Sequence, residues 1–249
     1  GKTIGWEQIQ KRESQYLGGD SANSVITTST NSNRGTGTRG IWSGGNDGSN
    51  AVDVIDYVTI STLGDAQDFG NLTDSRGYNG GAASSTRGLT MGGLDPSVKD
   101  IIDFVTISST GNAIDFGNLA SAIYGVGAAA SQIRAISFGG FQTSPSSVPI
   151  NTIQFVTIAQ TGNAVDFGDV STTRNYAGGC ASSIRAVFGG GTPSGSPYPV
   201  TNTIEFLTIS TLGNGQDFGD LTIARSTAAT ASNATRGIFA GGYNPSPSP

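Results

Sequence analysis

Apolar and polar residues alternate with a period of two in short runs spread along the whole chain, which predicts half-buried or sandwiched strands rather than helices. The run 153–158 shows the pattern: Ile153, Phe155 and Thr157 fall on one face of an extended segment, Val156 and Ile158 on the other. A strand with apolar or β-branched residues on both faces lies between layers. Before it come a small-residue stretch (125–131), a short apolar run (134–138), the doublet Gly139-Gly140 and a loop; after it come Thr161-Gly162-Asn163 and the run 164–167. Four short strands are predicted here. The Gly-Asn pair recurs in Leu63-Gly64-Asp65, Thr110-Gly111-Asn112 and Leu212-Gly213-Asn214. It predicts a tight hairpin turn between third and fourth strands, because Gly accepts positive φ and Asn or Asp follows it.

The same order repeats. Asp-Phe-Gly begins at Asp68, Asp115, Asp166 and Asp217, and a Val/Leu-Thr-Ile triplet centres on Thr59, Thr106, Thr157 and Thr208; both columns step by 47, 51 and 51 residues. Arg39, Arg87, Arg134, Arg185 and Arg236 each lead into a Gly doublet: Gly44-Gly45, Gly92-Gly93, Gly139-Gly140, Gly189-Gly190 and Gly241-Gly242. That makes four units and a fifth begun. The first strand is nearly all small, as in Gly80-Gly81-Ala82-Ala83 and Gly178-Gly179-Cys180-Ala181, which suits strands crowded around a central axis.

Four antiparallel strands in each such unit predict an all-β fold, a β-propeller of four-stranded blades. A β-solenoid is the competing fold, but its coils would carry fewer strands and more uniform repeats. Five blades are expected. The first starts loosely at 24–35, and the fifth shows only first and second strands, at 226–242. Since open sheet edges template aggregation, residues near the N-terminus or another chain should complete it. The expected layout is a docking or ring-closing segment at 1–23, the propeller at 24–242 and a Pro/Ser-rich tail at 243–249. Trp6, Ile9 and Tyr16 also fit a short docking helix.

These residues resemble the kelch repeat. A kelch blade has an Arg entering its first strand, a small-residue strand, a Gly doublet ending the second and an aromatic residue in the fourth. Arg76, Arg174 and Arg225 match the first feature and Phe69, Phe116, Phe167 and Phe218 the last; Ile123 and Thr28 stand where two other units would have Arg, and Phe replaces the family's usual Trp. The Val-Thr-Ile and Asp-Phe-Gly repeats look like kelch-like arrays in structural and tail proteins of tailed phages, particularly marine ones. The likeness covers residues 24–242 and implies a virion location.

Composition narrows the chemistry. Among 249 residues there are 38 Gly and 9 Pro, 35% are hydrophobic and 12% charged, which is a loop-and-strand composition that still supports a core. The net charge of −5, without basic clusters beyond Lys11-Arg12, argues against a nucleic-acid partner. With no His and a single thiol, Cys180, one chain builds no disulfide, no His/Cys metal centre and no His-dependent triad. The copper radical oxidase of the kelch family, which needs His, is therefore excluded, and no cofactor is expected. No apolar run is long enough to cross a membrane as a helix. A start at Gly and a Pro/Ser tail fit a processed chain or a piece of a longer one.

A residue repeated in every unit points to scaffold rather than to a unique site. Asp68, Asp115, Asp166 and Asp217 are expected to accept hydrogen bonds from turn backbone or to pair with Arg39, Arg87, Arg134 and Arg185. Four copies of Asp-Phe-Gly without a phosphate loop exclude a kinase. Cys180, in the column of Ala82, Ala129 and Ala231, reads as a core filler. All nine prolines follow a Gly doublet, so one face carries irregular, Pro-stiffened loops with Asp47, Asp53, Asp95, Phe141, Tyr198 and Tyr243. Exposed aromatic residues there suit sugar stacking or a protein contact; Asp47 and Asp53 lack the regular acid spacing of a calcium loop. The expected function is a non-enzymatic structural or adhesive module of a phage particle. Its expected partners are other virion subunits and a cell-surface glycan, with a homo-oligomer as a further option. The alternatives are an intracellular kelch-type adaptor and a carboxylate-dependent glycan-degrading enzyme.

Overall fold

The computed structural model describes residues 24–26, 39–48, 50–193 and 199–245. Among them every regular element is a strand, and four sheets have four antiparallel strands each. The first contains β1 (Ser24–Ile26), β2 (Arg39–Ser43), β3 (Val54–Thr59) and β4 (Gln67–Asn71). The second contains β5 (Gly80–Ala83), β6 (Arg87–Leu94), β7 (Val98–Thr106) and β8 (Ile114–Asn118). In the third, β9 (Gly127–Ala130) and β10 (Arg134–Phe138) are separated from the later strands by a small hairpin, β11 (Phe141–Gln142) and β12 (Val148–Pro149). That sheet continues with β13 (Thr152–Thr157) and β14 (Val165–Asp169). The fourth contains β15 (Gly178–Ala181), β16 (Arg185–Gly189), β17 (Thr203–Thr208) and β18 (Gln216–Asp220). A fifth unit has two described strands, β19 (Ala229–Ser232) and β20 (Gly237–Ala240). The N-terminal segment 1–23, Thr28 and Tyr198 lie outside the described residues.

From the second unit on, the start of the second strand has a local cause. Ser84, Ser131 and Ser182 accept hydrogen bonds from backbone N–H groups two and three residues ahead, and Asn233 does the same in the fifth unit. These short side-chain turns start the second strand at its Arg. In the third unit the Gly doublet ends that strand in left-handed backbone, with φ of +60° and +115° at Gly139 and Gly140, whereas β6 runs on through Gly92-Gly93 as an irregularity in its pairing. In the fourth unit the left-handed pair is Gly190-Gly191, one residue later than the sequence suggested, because Gly189 is still in β16.

The core lies between consecutive sheets, in three layers. Ile41, Ile55 and Phe69 of the first sheet meet Val105 and Ile107 of the second unit. Leu89, Ile102 and Phe116 of the second meet Val156 and Ile158 of the third. Ile136, Phe138 and Ile153 of the third meet Phe188, Leu207 and Ile209 of the fourth. Burying an Ile or Phe side chain in this way contributes roughly 1.5–3 kcal/mol. The small first strands pack one on the next, and they must be small: a Cβ on Gly80 would meet Val126 of the neighbouring sheet at 2.6 Å, and one on Gly178 would meet Thr230 at 2.6 Å.

Asp-Phe-Gly is a stacking motif. Its Phe is the extra residue of a β-bulge, as where Gly168 pairs with Ile153 and Asp166 with Gln154, leaving Phe167 unopposed and turned inward. Phe69, Phe116 and Phe167 are 2–3% exposed. The following Gly lies against the Gly-Asn turn of the next unit, so a Cβ on Gly70 would meet the Gly111 backbone at 2.5 Å. That turn is therefore no tight two-residue hairpin. It spends its polar groups on the preceding sheet: Gly111 N–H donates to the Phe69 carbonyl at 2.7 Å, and the Asn71 N–H donates to Asn112 Oδ1 at 3.1 Å. Gly162 and Gly213 donate to Phe116 and Phe167 in the same way.

The expected pairing of Asp68, Asp115, Asp166 and Asp217 with Arg39, Arg87, Arg134 and Arg185 does not occur. All four carboxylates are exposed, and Asp115 and Asp217 accept from the N–H of their own motif's Gly. The Arg guanidinium groups lie 4.5–4.6 Å over the rings of Tyr57, Phe104, Phe155 and Phe206. Arg39, Arg87 and Arg134 also donate to the carbonyls of Ile107, Ile158 and Ile209 in the next unit. An aromatic face and a carbonyl thus take the place of the expected carboxylate.

Candidate functional site: the loop end of the sheets

Because the strands are antiparallel, the Gly doublets, the second-to-third loops and the approach to each first strand all lie at one end of the sheets. Bridges fix this end: Gly77 pairs with Leu94, Tyr124 with Phe141, Asn175 with Thr192 and Ser226 with Tyr243. The structure therefore brings most of the sequence-predicted loop residues to a single face. Asp95 sits at the β6–β7 tip and accepts from Ser75 Oγ at 2.6 Å. Asp47 caps its own loop by accepting from the Asn50 N–H at 2.8 Å, and Asp53 precedes β3. Phe141 begins β11 and is half-buried, whereas Tyr243 is 58% exposed.

At this end the structure adds three residues that were not singled out from the sequence. Tyr78, Tyr124 and Tyr176, from three consecutive units, form a triangle with ring centroids 6.2, 6.2 and 6.4 Å apart, each pair edge-to-face. Phe141 extends the cluster, 5.3 Å from Tyr124. All four rings are half-buried. Tyr78 and Tyr176 have φ of +57° and +56°, a region disfavoured for residues with a Cβ. In the third unit Gly125 takes the same backbone position with φ +60°. What holds the strain is a ladder that crosses the units: Gly125 N–H donates to Tyr78 O, Tyr176 N–H to Gly125 O and Thr227 N–H to Tyr176 O, at 2.7–2.9 Å.

Beneath this surface lie two buried ion pairs. Arg76 donates to Asp103 at 2.8 Å with both side chains fully buried, and Arg174 donates to Glu205 with both about 1% exposed. Each acid also holds the preceding unit, Asp103 through the Thr73 N–H and Glu205 through the Ser171 N–H. Burial pulls the Arg174 guanidinium below its ordinary value, opposed by the Glu205 charge and hydrogen bond. In the third unit Ile123 replaces the Arg and Gln154 the acid, and Gln154 still accepts from the Ala120 N–H.

Cys180 is 7% exposed, and burial pushes its thiol up to about 11. At pH 8 only ~0.1% would then be thiolate. A disulfide-type thiol reagent should therefore leave the native protein unmodified and titrate one thiol after unfolding. Fast reaction of the folded protein would contradict this placement. Among the described residues no group of three or more His, Cys, Asp or Glu side chains is arranged to hold a metal ion, and no helix is long and apolar enough to cross a membrane. No family model matches the sequence, and no curated protein matches it.

Proposed function

We propose that the chain is a non-enzymatic adhesive module: a kelch-like wheel of five radial sheets that presents its tyrosine-centred loop face to a cell-surface carbohydrate, as part of a phage particle. The tyrosine triangle carries this reading. Three half-buried rings from successive units, two of them (Tyr78 and Tyr176) at strained backbone positions, form an aromatic platform of the kind that stacks on sugar rings. Phe141 extends the platform, 5.3 Å from Tyr124, and Asp95 and Tyr243 lie at the same end of the sheets. The triangle also supports the wheel. Tyr78 and Tyr176, two units apart, are as close as neighbours, which fits units turning about the cluster better than units advancing along a solenoid. The phage assignment rests on the resemblance of the Val-Thr-Ile and Asp-Phe-Gly repeats.

The test is saturable binding of the folded chain to bacterial polysaccharides and whole cells, compared with a Tyr78→Gly/Tyr176→Gly variant. Gly is native to this backbone position at Gly125, so the double variant removes two rings while sparing the backbone. Binding weakened by ~10-fold or more is expected from the loss of two aromatic contacts. Unchanged binding by the variant, or no saturable binding by the parent chain, would overturn the reading.

A further inference from the structure

Charge at the loop end of the sheets is one-sided. Asp47 and Asp53 precede β3, Asp74 precedes β5, Asp95 precedes β7, and Asp100 lies near the start of β7. The outer strands β14 and β18 finish at this end on the exposed carboxylates of Asp169 and Asp220. The cations described at this end are already engaged. Arg76 and Arg174 are buried in their pairs with Asp103 and Glu205. Lys99 Nζ is held by Asp74 Oδ2 at 2.6 Å, and Arg225 is half-buried and donates to the Gly241 carbonyl at 3.2 Å. The ring geometry is as specific as the charge. The three tyrosines meet at 63–65° to one another with centroids 6.2–6.4 Å apart, so no two of them share a plane. A sugar chain lying flat along a surface needs a row of coplanar aromatic faces, one under each stacked sugar. A tilted triangle serves one sugar, and the next residues of its chain pass over the acidic loops.

We infer that the tyrosine-centred face takes the end or side branch of an uncharged glycan and turns away acidic ones, an inference that rests on the carbohydrate-binding reading and narrows it. Recognition of a carboxylate or phosphate calls for cations with free donors, Arg above all, because its planar fork matches the two oxygens. At this end the guanidinium groups of Arg76 and Arg174 are spent on carboxylates of the chain itself, and Lys99 is spent on Asp74. An anionic sugar would instead meet like charge, which acts over a Debye length of about 8 Å at physiological salt. Stacking on tyrosine does not distinguish the two kinds of glycan, since the apolar face of a neutral sugar and that of its uronic acid are alike. The carboxylates make the distinction, by repulsion rather than by added contacts. Asp74 has a second part in this. By holding Lys99 it keeps an ammonium from serving as an anchor for acidic sugars.

The experiment measures binding of the full chain to acidic bacterial polysaccharides before and after carboxyl reduction, which turns each uronic acid into its neutral sugar and keeps the linkages. The reduced polymers are expected to bind ~10-fold or more tighter than their acidic parents at low salt, with the gap narrowing as salt is raised. Oligosaccharides cut from a bound linear polymer should compete as well as the polymer at equal chain concentration, because each chain offers one end. An Asp74→Asn variant, which releases Lys99 from its ion pair, should bind the acidic parents several-fold tighter and the reduced polymers as before. Acidic parents that bind as tightly as their reduced forms, or affinity per chain that grows with the number of internal sugars, would overturn the inference and leave the carbohydrate reading standing. No saturable binding to any polymer, acidic or reduced, would bring down both.

Discussion

Replacing Glu205 with Ala is expected to lower the unfolding free energy by about 3–5 kcal/mol, because it leaves the buried Arg174 guanidinium without its carboxylate. The substitution also removes the acceptor of the Ser171 N–H, so it loosens the join between third and fourth units along with the ion pair. The third unit shows how the site can do without charge, with Ile123 and Gln154 in the same two positions and the equivalent backbone bond kept. An Arg174→Ile/Glu205→Gln variant should therefore recover most of the loss. Denaturant unfolding of the three proteins with unchanged slopes measures both quantities. A cost below about 1 kcal/mol for Glu205→Ala, or a double variant as unstable as the single, would mean that the pair is not the structural lock its burial implies.

The unit order, the strand count per unit and the smallness of the first strand were legible because each is a local pattern repeated in register. Partner choice was not. Arg39 and Asp68 each recur once per unit, and periodicity alone made them candidates for each other; the structure sets the Arg on Tyr57 and leaves Asp68 in solvent. A period shows that two columns exist in every unit, not which atoms meet. The true ion pairs did leave a trace in the sequence. Arg76 and Arg174 occur in units whose third strand carries Asp103 and Glu205, while the unit with Ile123 carries the neutral Gln154. The tyrosine cluster was hidden for a different reason. Tyr124 is displaced by one position from the column of Tyr78 and Tyr176, so no column of the repeat contains all three, and only the packing of successive units brings their rings together. The role of Asp-Phe-Gly was obscured because its function is to meet the next unit, a contact between units that reading within one unit does not reveal.

Replacing Phe138 with Ala should cost about 3–5 kcal/mol, the range for deleting a buried aromatic ring. Phe138 is fully buried, stacks on Phe188 of the next sheet with centroids 4.5 Å apart, and lies over Gly127 of its own first strand. The three atoms nearest a Cβ built on Gly127 all belong to the Phe138 ring, so the ring occupies the space a larger residue there would need. Gly127→Ala alone should destabilise by pushing that ring, by about 1–3 kcal/mol as for other overpacked sites. In the Phe138→Ala background the same substitution should be neutral or stabilising, because its methyl group then enters the space left by the ring. The last unit already contains that solution, with Ala229 opposite Ala240 where Gly127 stands opposite Phe138. A double-mutant cycle on thermal or denaturant unfolding isolates this coupling. Additive effects would show that the two sheets are held apart by something other than this ring, and that the small first strands are not sized by the side chains of the second.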